Sequence, residues 1–172
     1  MGKEKKDLEF DGEIALFEGK PFSGFCVEHV DSIGEHHKVR SSLDVFGSEG
    51  YYKNGKKDGL WEYWYPEGQK RSEENYENGI ENGVTTCWYQ NGQKLSEKNY
   101  RGGVEDGVST YWNPNGQKSS EAHYKEGTLM GPHIIWHENG QMKNKEHYKD
   151  GKREGLRTSW HENGQKSTEM HY

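Results

Sequence analysis

The sequence predicts an all-β protein: a repeat array of antiparallel β-hairpins forming a single twisted sheet with a 24-residue period. Three observations predict it. Trp64, Trp88, Trp112, Trp136 and Trp160 are spaced 24 apart without exception. Gly59, Gly83, Gly107, Gly131 and Gly155 keep the same spacing, as do Tyr76, Tyr100, Tyr124, Tyr148 and Tyr172. A Gly-Gln pair recurs in step, from Gly68-Gln69 to Gly164-Gln165. Self-similarity at a fixed short period marks repeat architectures, in which each unit packs only on its neighbours.

The repeats occupy residues 53–172 as five units, 53–76, 77–100, 101–124, 125–148 and 149–172. Each unit reads as two strands and two turns. Within a unit, Asn91-Gly92, Asn115-Gly116, Asn139-Gly140 and Asn163-Gly164 are flanked by strand-like runs. Asn-Gly is the strongest two-residue hairpin signal, because both positions of that turn require φ > 0. Between units lie Asn78-Gly79, Gly102-Gly103, Glu126-Gly127 and Asp150-Gly151. Glycine at this density disfavours helix by about 1 kcal/mol per position.

A two-residue Asn-Gly loop sets the register. Trp88 then faces Leu95, Thr86 faces Glu97, Val84 faces Asn99 and Gly83 faces Tyr100. The last pair recurs in every unit, and a tyrosine ring across a glycine would cover bare backbone. Alternation then divides the sheet into two faces. One carries the Trp column with Leu60, Val84, Val108, Pro132 and Leu156, and is expected to be the structural face. The other carries the Tyr column and positions that vary: Tyr65, Tyr89, Asn113, His137 and His161, with Tyr63, Cys87, Tyr111, Ile135 and Ser159.

Residues 1–52 read as an atypical N-terminal capping segment, since a bare array end exposes core and strand edges. Phe10, Ile14, Leu16, Phe17, Phe22, Phe25 and Val27 are its candidate apolar cluster. Ser23-Gly24, Ile33-Gly34 and Phe46-Gly47 are its candidate turns, with a loop or weak hairpin over 31–50. At the other end Tyr172 closes a strand. Either the chain continues, or this edge self-associates.

Composition narrows the function. Apolar residues are only 28% of 172, yet the chain holds 6 Trp, 11 Tyr and 5 Phe. Those rings argue against disorder, which low apolarity alone would suggest. The net charge is −6 and no basic run is present, so nucleic-acid binding is disfavoured, as is attraction to anionic lipid. No stretch approaches the roughly 20 apolar residues of a membrane span. The start, Met1 to Lys6, shows no signal-peptide h-region. A cytoplasmic location is therefore expected, a removed leader being the alternative. Cys26 and Cys87 form neither a disulfide framework nor a metal-ligand spacing.

The candidate chemistry is sparse. His123, His147 and His171 lie 24 apart, as do His137 and His161. Equivalent positions two strands apart are separated by roughly 9.6 Å, too far for two imidazoles on one ion. They read as solvated polar residues, and no metal or cofactor is expected. Glu73, Glu97, Glu121 and Glu169 form a carboxylate column interrupted by Lys145, with Glu146 restoring the charge from the opposite face. No nucleophile or phosphate-loop motif occurs, so no enzyme activity is expected.

The unit Tyr-x-x-Gly-x-x-x-Gly, then Trp, then Asn-Gly-Gln, resembles the MORN repeat in its variant form. It stands here as Tyr52-Lys53-Asn54-Gly55-Lys56-Lys57-Asp58-Gly59-Leu60-Trp61 and as Trp160-His161-Glu162-Asn163-Gly164-Gln165-Lys166. Pro21-Phe22-Ser23-Gly24 resembles the entry motif of bacterial proteins of this kind, often labelled YwqK-type antitoxins. The resemblance implies a non-catalytic protein-binding module, antitoxin- or immunity-like, with a protein partner such as a toxin. The alternative it implies is a cell-envelope or lipid-associated scaffold. The expected partner surface is the variable aromatic face: Tyr63, Tyr65, Tyr89, Tyr111, His137 and His161.

Overall fold

A computed structural model describes residues 3–4, 8–11, 14–29 and 47–172. These are all strand, turn and connection. The expected turn Ile33-Gly34 and most of the loop 31–50 lie outside the described residues, as do the side chains of Ile14, Phe17, Phe25 and Val27. The chain divides into two units, 1–81 and 82–172.

In the first unit, β2 (Glu9–Asp11), β3 (Ile14–Phe17) and β4 (Lys20–Pro21) make a small sheet of their own. The second sheet of this unit runs β1 (Lys3–Glu4), β5 (Gly24–His29), β6 (Gly47–Lys53), β7 (Lys56–Trp64) and β8 (Lys70–Glu77), with β9 (Ile80–Glu81) also on β8. The β1–β5 pair is parallel; the others are antiparallel. The expected turn at Ser23-Gly24 is instead the start of β5. The tight turn here is Glu18-Gly19, with φ of 52° and 73°. Gly47 opens β6, Phe46 of the expected turn Phe46-Gly47 lies outside the described residues, and β6 crosses position 52 without interruption.

The core of this unit is Leu8, Ala15, Cys26, Tyr52 and Trp61, with Phe22, Tyr63 and Tyr76 packed on it. Phe10 is not part of it, being 46% exposed. Trp61 is the largest fully buried side chain. It meets the Tyr52 ring edge-on at 4.9 Å and donates its indole N–H to the Tyr51 carbonyl at 3.1 Å. Gly50 lies opposite Trp61 across the β6–β7 ladder. A Cβ there would stand 2.4 Å from the indole ring, so only glycine lets the ring lie on the backbone.

In the second unit every strand belongs to one sheet. Its order is β10 (Gly83–Trp88), β11 (Lys94–Arg101), β13 (Gly107–Trp112), β14 (Lys118–Lys125), β15 (Thr128–Trp136), β16 (Met142–Lys149), β18 (Leu156–Trp160) and β19 (Lys166–His171). β12 (Val104–Glu105) and β17 (Lys152–Arg153) pair with β11 and β16. The expected pairs Gly83↔Tyr100, Val84↔Asn99 and Thr86↔Glu97 are present. Gly107↔Tyr124 and Gly131↔Tyr148 repeat the first of these, as does Gly59↔Tyr76 in the first unit.

The hairpin loops differ from the expectation. Trp88 pairs with Lys94, not Leu95, because the register shifts between Cys87 and Trp88. The same shift recurs before Trp64, Trp112, Trp136 and Trp160. The Gly92 N–H donates to the Tyr89 carbonyl, and the Tyr89 N–H to the Gln93 carbonyl. Gly92 has φ 81°, whereas Asn91 is not left-handed. This is a type I turn closed by a left-handed glycine, the bulged hairpin loop. Asn91 serves through its side chain, accepting the Gln93 N–H at Oδ1 (3.0 Å). Both central residues are at positive φ in the turns between repeats, Asn78-Gly79, Gly102-Gly103, Glu126-Gly127 and Asp150-Gly151, as they are in Glu18-Gly19 and Asn54-Gly55.

The Gly83 column also has another cause than a covering tyrosine. Gly59, Gly83, Gly107, Gly131 and Gly155 all have φ between 73° and 123°. A Cβ at Gly59 or Gly155 would meet nothing within 4 Å. The positive-φ backbone, which only glycine adopts at little cost, demands the residue.

Candidate binding surface

The second unit is one sheet thick, and that decides what its two faces can do. Its buried side chains are mostly small and polar: Thr85, Thr86, Ser96, Ser109, Thr110 and Thr158, with Ala122 and Glu146. The Trp column is half-buried. Of the aliphatic positions beside it, Val108 and Pro132 are half-buried, while Val84 at 41%, Leu156 at 52% and Leu60 of the first unit at 43% stay open. The expectation of a buried Trp-and-aliphatic face is therefore corrected. No second layer of the described chain covers that face, so burial there is partial.

Neighbouring repeats are joined instead by side chains reaching 23 residues along the sequence. The Asn91 amide donates to the Pro114 carbonyl at 2.8 Å, and Asn139 to the Glu162 carbonyl at 2.6 Å. The Tyr89 hydroxyl donates to the Trp112 carbonyl at 2.8 Å, and His137 Nε2 bonds the Trp160 carbonyl at 2.9 Å. Gln93, Gln117 and Gln141 each lie against the turn glycine of the next repeat, Gly116, Gly140 and Gly164. A Cβ at Gly164 would meet Gln141 Oε1 at 2.7 Å. A hydrogen bond of this kind contributes about 0.5–1.5 kcal/mol, so a column of them is a substantial joint.

Charge is arranged in two layers. On the Trp face the hairpin bulge brings residues three apart onto one side, which gives Lys94–Glu97 at 2.7 Å, Lys118–Glu121 at 2.6 Å and Lys166–Glu169 at 2.6 Å. Lys94 and Lys118 also lie over the rings of Trp112 and Trp136 in the following repeat, at 5.2 and 5.8 Å. On the other face Lys98 pairs with Glu105 at 2.8 Å, and Arg153 with Glu146 at 2.9 Å. The sign of the pair reverses between these repeats, and in the intervening one the two positions are apolar, Ala122 and Leu129. Opposite charges seven residues apart were the signal in the sequence for this layer.

Glu146 does not restore the charge opposite Lys145, as expected from the sequence. Its carboxylate takes Arg153, Arg157 at 3.0 Å and the Tyr148 hydroxyl at 2.8 Å. Burial alone would raise its pKa; the hydrogen bonds from Arg153 and Tyr148 and the charges of Arg153 and Arg157 outweigh that and hold it below the ordinary glutamate value. His133, across the ladder from Glu146, has its pKa lowered, chiefly by burial.

The six expected partner residues fall into different settings. In the first unit, Tyr63 packs on the core and its hydroxyl takes the Lys57 ammonium. Burial, then the charge of Glu74, pushes its phenol well above the ordinary range. Lys57 lies over the rings of Trp61, Tyr63 and Tyr76 at 4.6–5.1 Å. Tyr65 is half-buried. In the second unit, Tyr89 and His137 have their polar tips on the next repeat's backbone. Tyr111 and His161 remain exposed, with Lys98 over the Tyr111 ring at 5.4 Å.

The histidines do not converge. His123 Nδ1 faces the Pro132 carbonyl and His147 faces Glu154 at 4.0 Å. Among the described residues no group of three His, Cys, Asp or Glu side chains is placed to hold a metal ion. Cys26 and Cys87, in β5 and β10, are not joined in a disulfide. Among the described residues no helix is long and apolar enough to cross a membrane.

Consecutive bulged hairpins joined side by side, each repeating the same turn, glycine and tryptophan, define a β-hairpin repeat protein. The model of the MORN repeat variant matches residues 57–78, 81–101, 105–126, 131–150 and 153–172. The chain belongs to the MORN repeat variant family. Repeats of this family generally act as protein- or membrane-binding modules. No curated protein matches the chain.

Proposed function

We propose that this chain is a non-catalytic module that binds a protein partner through the open sheet of residues 82–172. The observation that carries this reading is the set of large apolar side chains that the sheet leaves to solvent. Val84, Met142 and Leu156 on the Trp face, Tyr111 on the opposite face, and Val104 and Met170 are each 36–52% exposed. Exposed apolar surface with a polar rim marks interaction sites, and tyrosine is favoured at them. Tyr111 and His161 are the proposed contact residues. Tyr89 and His137 hold the repeats that present them.

The test starts with co-purification of the tagged chain from its host and identification of the captured protein. Tyr111→Ala combined with His161→Ala should then weaken binding of that protein at least tenfold, with an unchanged melting temperature. Equal affinity would contradict the surface. Capture of lipid vesicles instead of protein would favour an envelope-associated scaffold. An antitoxin- or immunity-like role is the narrower form of this reading, supported by the resemblance of the repeat and of Pro21-Phe22-Ser23-Gly24. It requires the captured protein to be toxic and to be neutralised by this chain.

A further inference from the structure

The ion-pair ladder on the Trp face is broken in one repeat. Lys70, Lys94, Lys118 and Lys166 each pair with the glutamate three residues on. In β16 the same two positions are Met142 and Lys145. The basic position has lost its charge and the acidic position has reversed sign. Two consequences follow in space. The Lys145 ammonium is exposed, and no carboxylate of the described residues forms an ion pair with it. Trp160, whose ring would be covered by the lysine of the preceding repeat, has Met142 in that place and no cation over it.

A groove of about 350 Å³ opens at this break, bounded by Pro132, Lys145, His147, Leu156, Thr158 and Trp160. Pro132 and Leu156 are the aliphatic column of two adjacent repeats, so the walls are apolar. Glu146 also borders the groove, but its carboxylate is taken by Arg153 and Arg157. Glu121 and Glu169 lie in the same cross-strand row as Lys145, two strands to either side, and are held by Lys118 and Lys166, while Glu154 is held by Lys149 at 3.6 Å and lies 4.0 Å from His147. Residues 142–158 carry six Lys/Arg against three Asp/Glu, in a chain of net charge −6. The groove thus holds one lysine, Lys145, with no carboxylate of the described residues paired to it, and an uncovered indole beside it.

We propose that this groove receives an acidic peptide segment of a partner protein. A carboxylate of the segment meets Lys145, and a neighbouring apolar side chain lies against Trp160, Leu156 and Pro132. The segment restores from outside the carboxylate that the other repeats supply from within. This rests on the protein-binding reading and narrows it to an acidic partner. It uses the Trp face, whereas Tyr111 belongs to the opposite one. Desolvation beside apolar walls makes such a pair stronger than an open surface pair, and few convergent polar groups in an apolar cleft suit a specific ligand.

The probe is the capped peptide Ac-Glu-Phe-Glu-Leu-Glu-NH2, compared with its neutral counterpart in which glutamine replaces each glutamate. Binding is followed on the full ¹⁵N-labelled chain through the indole N–H resonances of its tryptophans. The acidic peptide should shift Trp160 and leave Trp88 and Trp112 in place; the neutral one should bind at least tenfold more weakly. Met142→Lys/Lys145→Glu rebuilds the ion pair of the other repeats, so it keeps the fold. It should weaken the acidic peptide at least tenfold without lowering the melting temperature. Equal binding of the two peptides, shifts spread evenly over the tryptophans, or an unchanged affinity in the rebuilt variant would each overturn the proposal. So would vesicles of phosphatidylglycerol that shift Trp160 where the peptide does not. The two readings fail separately. If the captured partner binds the rebuilt variant as well as the native chain, the groove is wrong and the protein-binding module stands. If no protein is captured at all, the module reading falls whatever the peptide does.

Discussion

The hairpin β7–β8 of the first unit and the hairpins β10–β11, β13–β14 and β15–β16 of the second share one plan, yet they are held differently. Around β7, Trp61 is about 1% exposed and sits among Tyr52, Cys26, Ala15 and Leu8. In the second unit the position equivalent to Trp61 is Thr85, Ser109, His133 or Arg157, and no aromatic core forms. Repeats there are joined by Asn, Tyr and His side chains on neighbouring carbonyls and by ion pairs. The comparison teaches that one hairpin can be stabilised either by burial from one side or by polar stitching along a sheet. The second way leaves both faces available for other molecules.

The difference can be broken at its strongest point first. Trp61→Ala removes a fully buried ring and should cost about 3–5 kcal/mol, whereas Trp112→Ala, in a half-exposed position, should cost about half that. Chemical denaturation of the two variants, followed on the remaining tryptophans, measures both. Gly50→Ala should cost about 1–3 kcal/mol, because the Trp61 ring must move away from the new methyl group. Alanine at Gly92 instead strains the left-handed backbone and meets no atom within 4 Å, so its cost should fall near 1 kcal/mol.

Two smaller effects sharpen the polar side. Glu146→Gln should cost about 1–2 kcal/mol at neutral pH, since Arg153 is partly exposed and screened. Because Glu146 has a folded pKa below its unfolded one, its contribution is full above the ordinary glutamate range and is lost as pH falls through the folded value. His133, favoured as the neutral form, also destabilises the fold when acid begins to protonate the unfolded chain near pH 6.5. The melting temperature should therefore fall between about pH 6 and pH 3, less steeply in the Glu146→Gln variant. Asn139→Ala removes one rung of the ladder and should cost about 0.5–1.5 kcal/mol by thermal melting.

Much of this architecture was legible in the sequence. The period, the two-strand repeat and the pairs Gly83–Tyr100, Val84–Asn99 and Thr86–Glu97 follow from spacing and alternation alone. The hairpin loop did not, because Asn-Gly suits a two-residue turn and a bulged type I turn equally, and the two differ by one residue in register at Trp88. That residue brings Lys94 and Glu97 onto one face. The core of the first unit was hidden because Trp61 stands outside the 24-residue Trp column. Glycine at position 50 marked its place only once the opposing ring was known. Of the surface residues, Tyr89 and His137 could be found by period but not by role, since a side chain bonding a carbonyl 23 residues on leaves no mark in the sequence. The break at Met142 and Lys145 was visible as an exception in the carboxylate column; the groove beside it was not.

The most direct test of the contrast is native-state hydrogen exchange on the unmodified chain. If burial holds the first unit and polar stitching the second, the amides of Gly50, Tyr52, Trp61 and Tyr76 exchange slowest. Those of β13–β16 then exchange through openings of distinctly lower free energy. Equal protection in the two regions, or greater protection in β13–β16, would contradict the account.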